Sequence, residues 1–362
     1  MAERDAASLD SLLDQLSKTD ADFADLIHHI EAENKALTQE PGTLAEKFLV
    51  PPFSVLDARQ GYWQERKRAW LSLGIKSEEG RPENLLQFSD TVSFGGKKNR
   101  DMTEEYEGGD AWANSGTSIF DPVLCELVYR WFLPPSGGSV LDPFAGGSVR
   151  GVVAAKLGHR YTGVELRTEQ VLANRKQAEQ LKCDTAEWIQ GDSNSEVKKL
   201  KKHYDLLFSC PPYFDLEKYS DDPNDLSNAK SYEKFFETYF SIIDDCCNQL
   251  IPEAFACFVV SDIRDPGGVY RGFVADTIRA FKTCGMDLYN DAVLVQPVGT
   301  LPLRISKSFG KYRKLGRVHK NVLVFHRGNP KGIVDLLGEA SYSPDDWMEL
   351  FGIPAGAEEA EA

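Results

Sequence analysis

Acidic side chains stand at the carboxyl ends of three candidate strands, and a diproline closes a fourth. Ser139-Val140-Leu141-Asp142-Pro143-Phe144-Ala145-Gly146-Gly147-Ser148 reads as a strand running into a glycine loop and then a helix. Ligands of open α/β sheets bind beyond the carboxyl ends of strands. Glycines there let the backbone approach a ligand without a Cβ in the way. About 20 residues on, Gly163-Val164-Glu165 closes a second strand with a carboxylate, a group suited to accept hydrogen bonds from ribose hydroxyls. Gly191-Asp192 ends a third strand, where the carboxylate could pair with an adenine amino group. A tight turn in any α/β protein would explain one such loop. Three successive strand ends carrying Asp142, Glu165 and Asp192 make that bland explanation much weaker. The chain has no G-x-G-x-x-G loop, which argues against a dinucleotide.

The fourth strand end is Asp205-Leu206-Leu207-Phe208-Ser209-Cys210-Pro211-Pro212-Tyr213. It reads as a buried strand stopped by two prolines and an aromatic residue. Proline fixes φ, and so fixes where the neighbouring carbonyl points.

Together these motifs resemble those of the S-adenosylmethionine-dependent DNA amino-methyltransferases, the N6-adenine and N4-cytosine family. Leu141-Asp142-Pro143-Phe144-Ala145-Gly146 is similar to that family's cofactor motif, D-P-F-x-G-S-G, with Gly147-Ser148 where the family commonly has Ser-Gly. Gly116-Thr117-Ser118-Ile119-Phe120-Asp121-Pro122 resembles the segment that helps to hold the cofactor's amino-acid end. The resemblance implies S-adenosyl-L-methionine bound by Thr117, Ser118, Phe120, Asp142, Pro143, Phe144, Gly146, Glu165, Leu166 and Asp192. Cys210-Pro211-Pro212-Tyr213 resembles the catalytic [DNS]-P-P-[YF] motif and implies those four as catalytic residues. The amine of adenine or cytosine is a poor nucleophile, because its lone pair is delocalised into the ring. In the family, the first motif side chain and the first proline carbonyl accept the amine's hydrogens. The aromatic residue stacks on a base swung out of the duplex.

Cys210 departs from the pattern, since thiol sulfur is a weak acceptor. Three readings follow. The backbone suffices with help from Ser209 or Asp215; Cys210 is a tolerated variant; or Cys210 attacks a pyrimidine ring carbon. The last fits least, because ring-carbon methyltransferases place their Cys after a Pro, not before two. Phe214 to Ser227 is a long polar segment, readable as a lid over a flipped base or as ordinary surface.

The elements that position these groups alternate. Strands are expected at Ser139–Asp142, Tyr161–Glu165, Ala186–Gln190, Asp205–Ser209, Ala256–Ser261, Leu288–Gln296 and Asn321–His326. Helices are expected at Val149–Leu157, Thr168–Lys182, Tyr232–Leu250 and Phe273–Cys284. The alternation gives an α/β fold class with a seven-stranded, mostly parallel sheet, an antiparallel edge pair and an N-terminal helical extension, and the resemblance implies that it is a Rossmann-like class I methyltransferase. Residues 1–42 read as acidic helix, 43–113 as an aromatic and basic helical segment plus linker, 114–334 as the catalytic domain, and 335–362 as a helix and acidic tail. Residues 1–40 could contact a partner, though packing on the core is the simpler reading. Trp63 and Trp70, interleaved with Arg59, Arg66, Lys67 and Arg68, suit nucleic acid but more readily a core.

The net charge of −15 speaks against a polyanionic partner, yet net charge is a poor guide to local potential. From Ala292 to Val334 there is no Asp or Glu. The expected loop Gly299–Val318 carries Arg304, Lys307, Lys311, Arg313 and Arg317, the candidate DNA contacts. The two motifs are too close in sequence to enclose a large target-recognition insertion. The finer resemblance, including Val50–Arg59, is to orphan methylases of phages and prophages, related to restriction-modification enzymes. The cysteines, seven and without a CxxC pair, suit a reducing cytoplasm better than a disulfide framework or a zinc site. No apolar run of about 18 residues predicts a membrane span. A protein or RNA methyltransferase, and an inactive DNA-binding protein on the same fold, are the rival readings.

Overall fold

A computed structural model of the chain describes residues 50, 52–76, 79–80, 120–201, 203–215, 218–299 and 301–339. The expected helices of residues 1–42, the glycine-rich linker at 91–116 and the tail from Ala355 lie outside the described residues.

The expected strand–helix alternation is observed. It runs β1 (Val55–Asp57), α1 (Gly61–Ser72), α2 (Pro122–Phe132), β2 (Ser139–Asp142), α3 (Val149–Lys156), β3 (Arg160–Glu165), α4 (Thr168–Gln180), β4 (Ala186–Gln190) and α5 (Ser193–Glu196). It continues with β5 (Tyr204–Ser209), α6 (Tyr232–Asn248), β6 (Leu250–Val260), α7 (Phe273–Thr283), β7 (Asp287–Val295), α8 (Leu301–Tyr312), β8 (His319–His326) and α9 (Ile333–Leu337). One sheet holds every strand, in the order β1-β7-β8-β6-β5-β2-β3-β4. All neighbours pair in parallel except β8, which is antiparallel to both β6 and β7. The fold is therefore the Rossmann-like class expected, with one strand more.

That strand is β1, which pairs with β7 and takes the edge expected for the β7–β8 pair. Among its described residues, the 43–113 segment packs residues 55–72 against the sheet and α2. Its helix α1 sends Trp63 and Trp70, both fully buried, into the core beneath α2. Glu126 on α2 receives Trp70 Nε1 at 2.6 Å, Arg66 Nε and Nη2 at 2.9 and 2.6 Å, and Arg130 Nε at 3.0 Å. The tryptophans and Arg66 are core and clamp, as the simpler sequence reading had it. A second difference lies between β7 and β8. The expected loop contains helix α8, which tolerates Pro302 because the first turn of a helix has no intrahelical use for that N–H.

Alternate residues of the central strands enter opposite faces of the sheet. Leu206, Phe208, Phe255, Cys257 and Val259 pack with α1, α2 and α3 on one face. Leu207, Ala256, Phe258 and Val260 pack with α6 and α7 on the other. Chain order runs outward from β2 to β3 and β4 on one side, and from β5 to β6 on the other. The switch point is therefore between β2 and β5, where an open sheet leaves a crevice at its carboxyl edge. Among the described residues no helix is long and apolar enough to cross a membrane.

Candidate active site

The glycine loop after β2 is tied down on its protein side. Asp142 is fully buried, and donors occupy both of its oxygens. Oδ1 accepts from Phe144 N at 3.1 Å and Ser209 Oγ at 2.6 Å. Oδ2 accepts from Arg150 Nε at 2.5 Å and Tyr161 OH at 2.7 Å. Arg150, from the first turn of α3, also donates Nη2 to Phe144 O at 2.7 Å and Ala145 O at 2.9 Å. Burial disfavours its charge, but the Asp142 carboxylate outweighs this and holds the guanidinium pKa above its usual value. Ser193 Oγ donates to Pro143 O, and Asn174 Nδ2 to Gly146 O at 2.7 Å. Four successive loop carbonyls thus have partners within the fold.

This changes the role expected of several residues. Asp142 has no surface to offer a ligand; it anchors the loop. Pro143 is buried, and Ser148 turns inward to donate Oγ to Gln177 Oε1 on α4. The Gly147-Ser148 departure therefore faces the protein interior rather than the cleft. Phe144, Gly146 and Gly147 keep partial exposure. Phe144 stacks on Tyr239 with ring centroids 6.1 Å apart. Gly146 has φ +52°, and an added Cβ there would meet nothing within 4 Å. Its glycine is required by the backbone, and the space before it is open.

Glu165 bridges two loops, accepting from Gly146 N at 2.9 Å and Arg167 N at 2.9 Å. Burial raises its pKa above the ordinary value of 4.5, and the two backbone N–H groups oppose the rise. Leu166 lies beside it, partly buried, its carbonyl accepting from Gln190 Nε2 at 3.1 Å. Asp192 ends the β4 loop, and its Oδ1 caps α5 by accepting from Asn194 N at 3.0 Å. Phe120 stands behind the glycine loop, its ring 5.6 Å from Phe208 and under Arg150 at 4.5 Å. Thr117 and Ser118 lie outside the described residues.

Strand β5 pairs directly with β2, Leu141 opposite Leu207, so the two motifs end side by side. The Asp142–Ser209 hydrogen bond joins them. Ser209 donates in that bond and is fully buried, so its oxygen does not reach the surface as the helper acceptor considered for Cys210. Cys210 is half-buried, with Sγ 3.7 Å from Tyr213 OH. Pro211 is buried and Pro212 partly exposed. Tyr213 OH lies 3.4 Å from Val259 O, and its ring meets Phe273 edge-on at 6.0 Å. Phe214 then adopts φ +44°, a left-handed conformation costly for a bulky residue. It is held there by packing against Tyr232 and Phe235, with Arg271 5.0 Å from its ring. Asp215 is exposed and faces Arg271 at 3.5 Å.

Residues 218–228 are pinned by their own bonds. Asp225, buried, accepts from Ser220 Oγ at 2.9 Å, Ser227 N at 2.9 Å and Ser227 Oγ at 2.7 Å. Asn228 Nδ2 donates to Ser220 O and Asp222 O. Their conformation is self-supporting, which suits a fixed wall better than a lid.

The candidate polyanion contacts sit on and after α8, which follows the carboxyl end of β7 on the same edge as the cleft. Arg304 and Lys307 lie within α8. Lys311 is exposed, 5.1 Å from the Tyr312 ring. Arg313, at φ +55°, ends the helix and donates Nη1 to Phe309 O at 3.1 Å and Gly310 O at 2.9 Å. Arg317 reaches Ser261 Oγ at 3.2 Å and Asn321 Oδ1 at 3.4 Å. The sequence reading missed Arg150, Asn174, Ser193 and Arg271. Their roles depend on which loop each faces across the fold, and no local pattern reports that.

No family model matches the chain, and no curated protein matches it. Solved structures do. TrmN from Thermus thermophilus shares 17% identity over 57% of this chain and 49% of its own, with TM-score 0.39. The chain thus spans about half of that protein. A methyltransferase from Pyrococcus furiosus shares 16% identity over 59% of this chain and 85% of its own, TM-score 0.39. Magnesium protoporphyrin IX methyltransferase from Synechocystis PCC 6803, solved with bound SAM, shares 12% identity over 57% and 79%, TM-score 0.37. At these scores the likenesses carry no weight for activity or substrate.

Proposed function

We propose that this chain is a DNA methyltransferase that uses S-adenosylmethionine and modifies an exocyclic amine, adenine N6 or cytosine N4, of a base turned out of the duplex. One observation carries the reading. The glycine loop after β2 and the Cys210-Pro211-Pro212-Tyr213 end of β5 are adjacent, hydrogen-bonded through Asp142 and Ser209, and lie at the sheet's switch point, where open α/β sheets bind ligands. A donor held by the first would face an acceptor held by the second.

The residues fit such a cofactor. Open space in front of Gly146, a part-buried carboxylate at Glu165 and the Asp192 strand end suit a ribose and an adenine. Bound there, the cofactor supplies an electrophilic methyl group. The chain's work is then positioning. Tyr213 offers a ring face to the base, steadied by Phe273. The prolines fix the Pro211 carbonyl as the acceptor for the amine's hydrogens, and Cys210 adds only a weak one. The strained turn at Phe214 holds this short segment against the aromatic cluster. DNA is supported by the family resemblance and by the acid-free basic segment on the cleft's edge.

The rival is an inactive DNA-binding protein on the same fold, motivated by Cys210. Titration calorimetry of the purified chain with S-adenosylmethionine separates the two. Saturable binding that is lost in Gly146→Val supports the enzyme; absence of binding sinks it.

A further inference from the structure

Chain leaving β6 forms a short hairpin that no motif marked. Arg264 and Tyr270 pair across it, and Asp265 accepts from Val269 N at 2.9 Å to close the turn. Tyr270 carries two guanidinium groups: Arg264 at 3.8 Å from the ring centroid and Arg317, arriving from beyond α8, at 5.4 Å. Two like charges gathered on one ring repel each other unless an anion joins them.

Among the described residues neither has a carboxylate partner. Arg264 Nη1 donates to Gly268 O at 2.8 Å, and Arg317 Nη1 to Ser261 Oγ and Asn321 Oδ1, all neutral acceptors. Arg317 Nε is buried with no hydrogen-bond partner. The hairpin's own carboxylate, Asp265, keeps its charge but makes no ion pair with either guanidinium group among the described residues, its Oδ1 accepting from Val269 N. Asp262 Oδ1 accepts from the backbone N of Ile263, Gly272 and Phe273, and Asp215 faces Arg271. Lys314 adds a third cation, packed against Gly268. The base of the hairpin abuts the site: Arg271 lies over Phe214, next to Tyr213.

We propose that Arg264 and Arg317, held around Tyr270, with Lys314 beside Gly268, form a notch for one backbone phosphate of the DNA strand entering the cleft. This rests on the DNA reading above. It extends that reading from the basic helix to a hairpin that would fix the strand beside the target nucleotide. Guanidinium groups suit the task, since their planar donors match phosphate oxygens.

The test is the salt dependence of binding by the full chain to a short duplex oligonucleotide, with tripolyphosphate as a second probe. Each neutralised phosphate contributes about 0.9 to the slope of log K against log salt. The double variant Arg264→Gln/Arg317→Gln is expected to lower the slope by about that amount. Arg264→Lys/Arg317→Lys keeps the slope, and S-adenosylmethionine affinity stays unchanged in both, which reports intact folding. An unchanged slope in the Gln variant, with wild-type DNA binding present, overturns the notch and leaves the DNA reading standing. Tripolyphosphate binding that the Gln variant weakens, without DNA binding by the wild type, overturns the DNA reading and with it the assignment of the notch to a DNA phosphate. Absence of binding to either probe overturns both.

Discussion

Glu165 shows how one side chain can serve fold and ligand together. Its carboxylate bridges Gly146 N and Arg167 N, and burial raises its pKa above 4.5. A ribose diol donating to the same carboxylate favours the ionised form. Cofactor affinity is therefore expected to fall as pH drops through the raised pKa, and to fall over a higher range than an ordinary Glu would give. Glu165→Gln should weaken binding and flatten that profile; calorimetry across pH checks both. Arg150 makes a different case. Replacing it with Met strands Asp142 as a buried charge, a loss of about 3–5 kcal/mol. Urea unfolding should show that loss, and show it reduced in Arg150→Met/Asp142→Asn, since the two residues are coupled. Tyr213 acts later in the chain of events. Tyr213→Ala should abolish product and leave cofactor binding intact, and full activity in that variant would mean that the catalytic motif is misassigned.

At the scale of elements, the strands were the most legible. Ser139–Asp142 and Ala186–Gln190 match the structure end to end, because β-rich runs there stop at Pro or Gly. The short strand β1 was missed: three residues beside a Pro-rich stretch show no periodicity, and only pairing with β7 makes them a strand. Helix α8 lies where a loop was expected between the last two strands; Pro302 and Gly310 are poor helix formers, so intrinsic propensity gives little sign of it. Arg313, in a left-handed turn, caps its carbonyls locally, donating to Phe309 O and Gly310 O. The return from α3 to β3 makes a testable case. His159 is buried, its Nδ1 accepting from Gly138 N at 3.1 Å, and burial lowers its pKa from 6.5 to about 4. The unfolded chain protonates this residue first. Stability is thus complete above pH 6.5 and is lost as pH falls toward 4, by a few kcal/mol. His159→Gln should remove that part of the pH dependence in thermal melts.

Across the whole molecule, the parallel sheet brings every strand end of interest to one edge. β2, β3, β4, β5, β6 and β7 share a direction, so the glycine loop, the diproline end of β5, the hairpin and the basic helix gather at their carboxyl ends. The three acidic strand ends were visible in the sequence, but their division of labour was not. Asp142 proved an internal anchor, because Arg150 on the next helix and Tyr161 on the next strand both turn back to it, which spacing alone does not report. A net charge of −15 and a basic edge are compatible for the same reason: topology, not composition, decides where charge collects.

The central claim is methyl transfer to an amine of a DNA base. Duplex DNA incubated with the chain and S-adenosylmethionine, digested to nucleosides and read by mass spectrometry, tests it most directly. The account predicts N6-methyladenine or N4-methylcytosine, absent with Tyr213→Ala. A ring-carbon methylcytosine, or no methylated nucleoside from a chain that binds both cofactor and DNA, would contradict it.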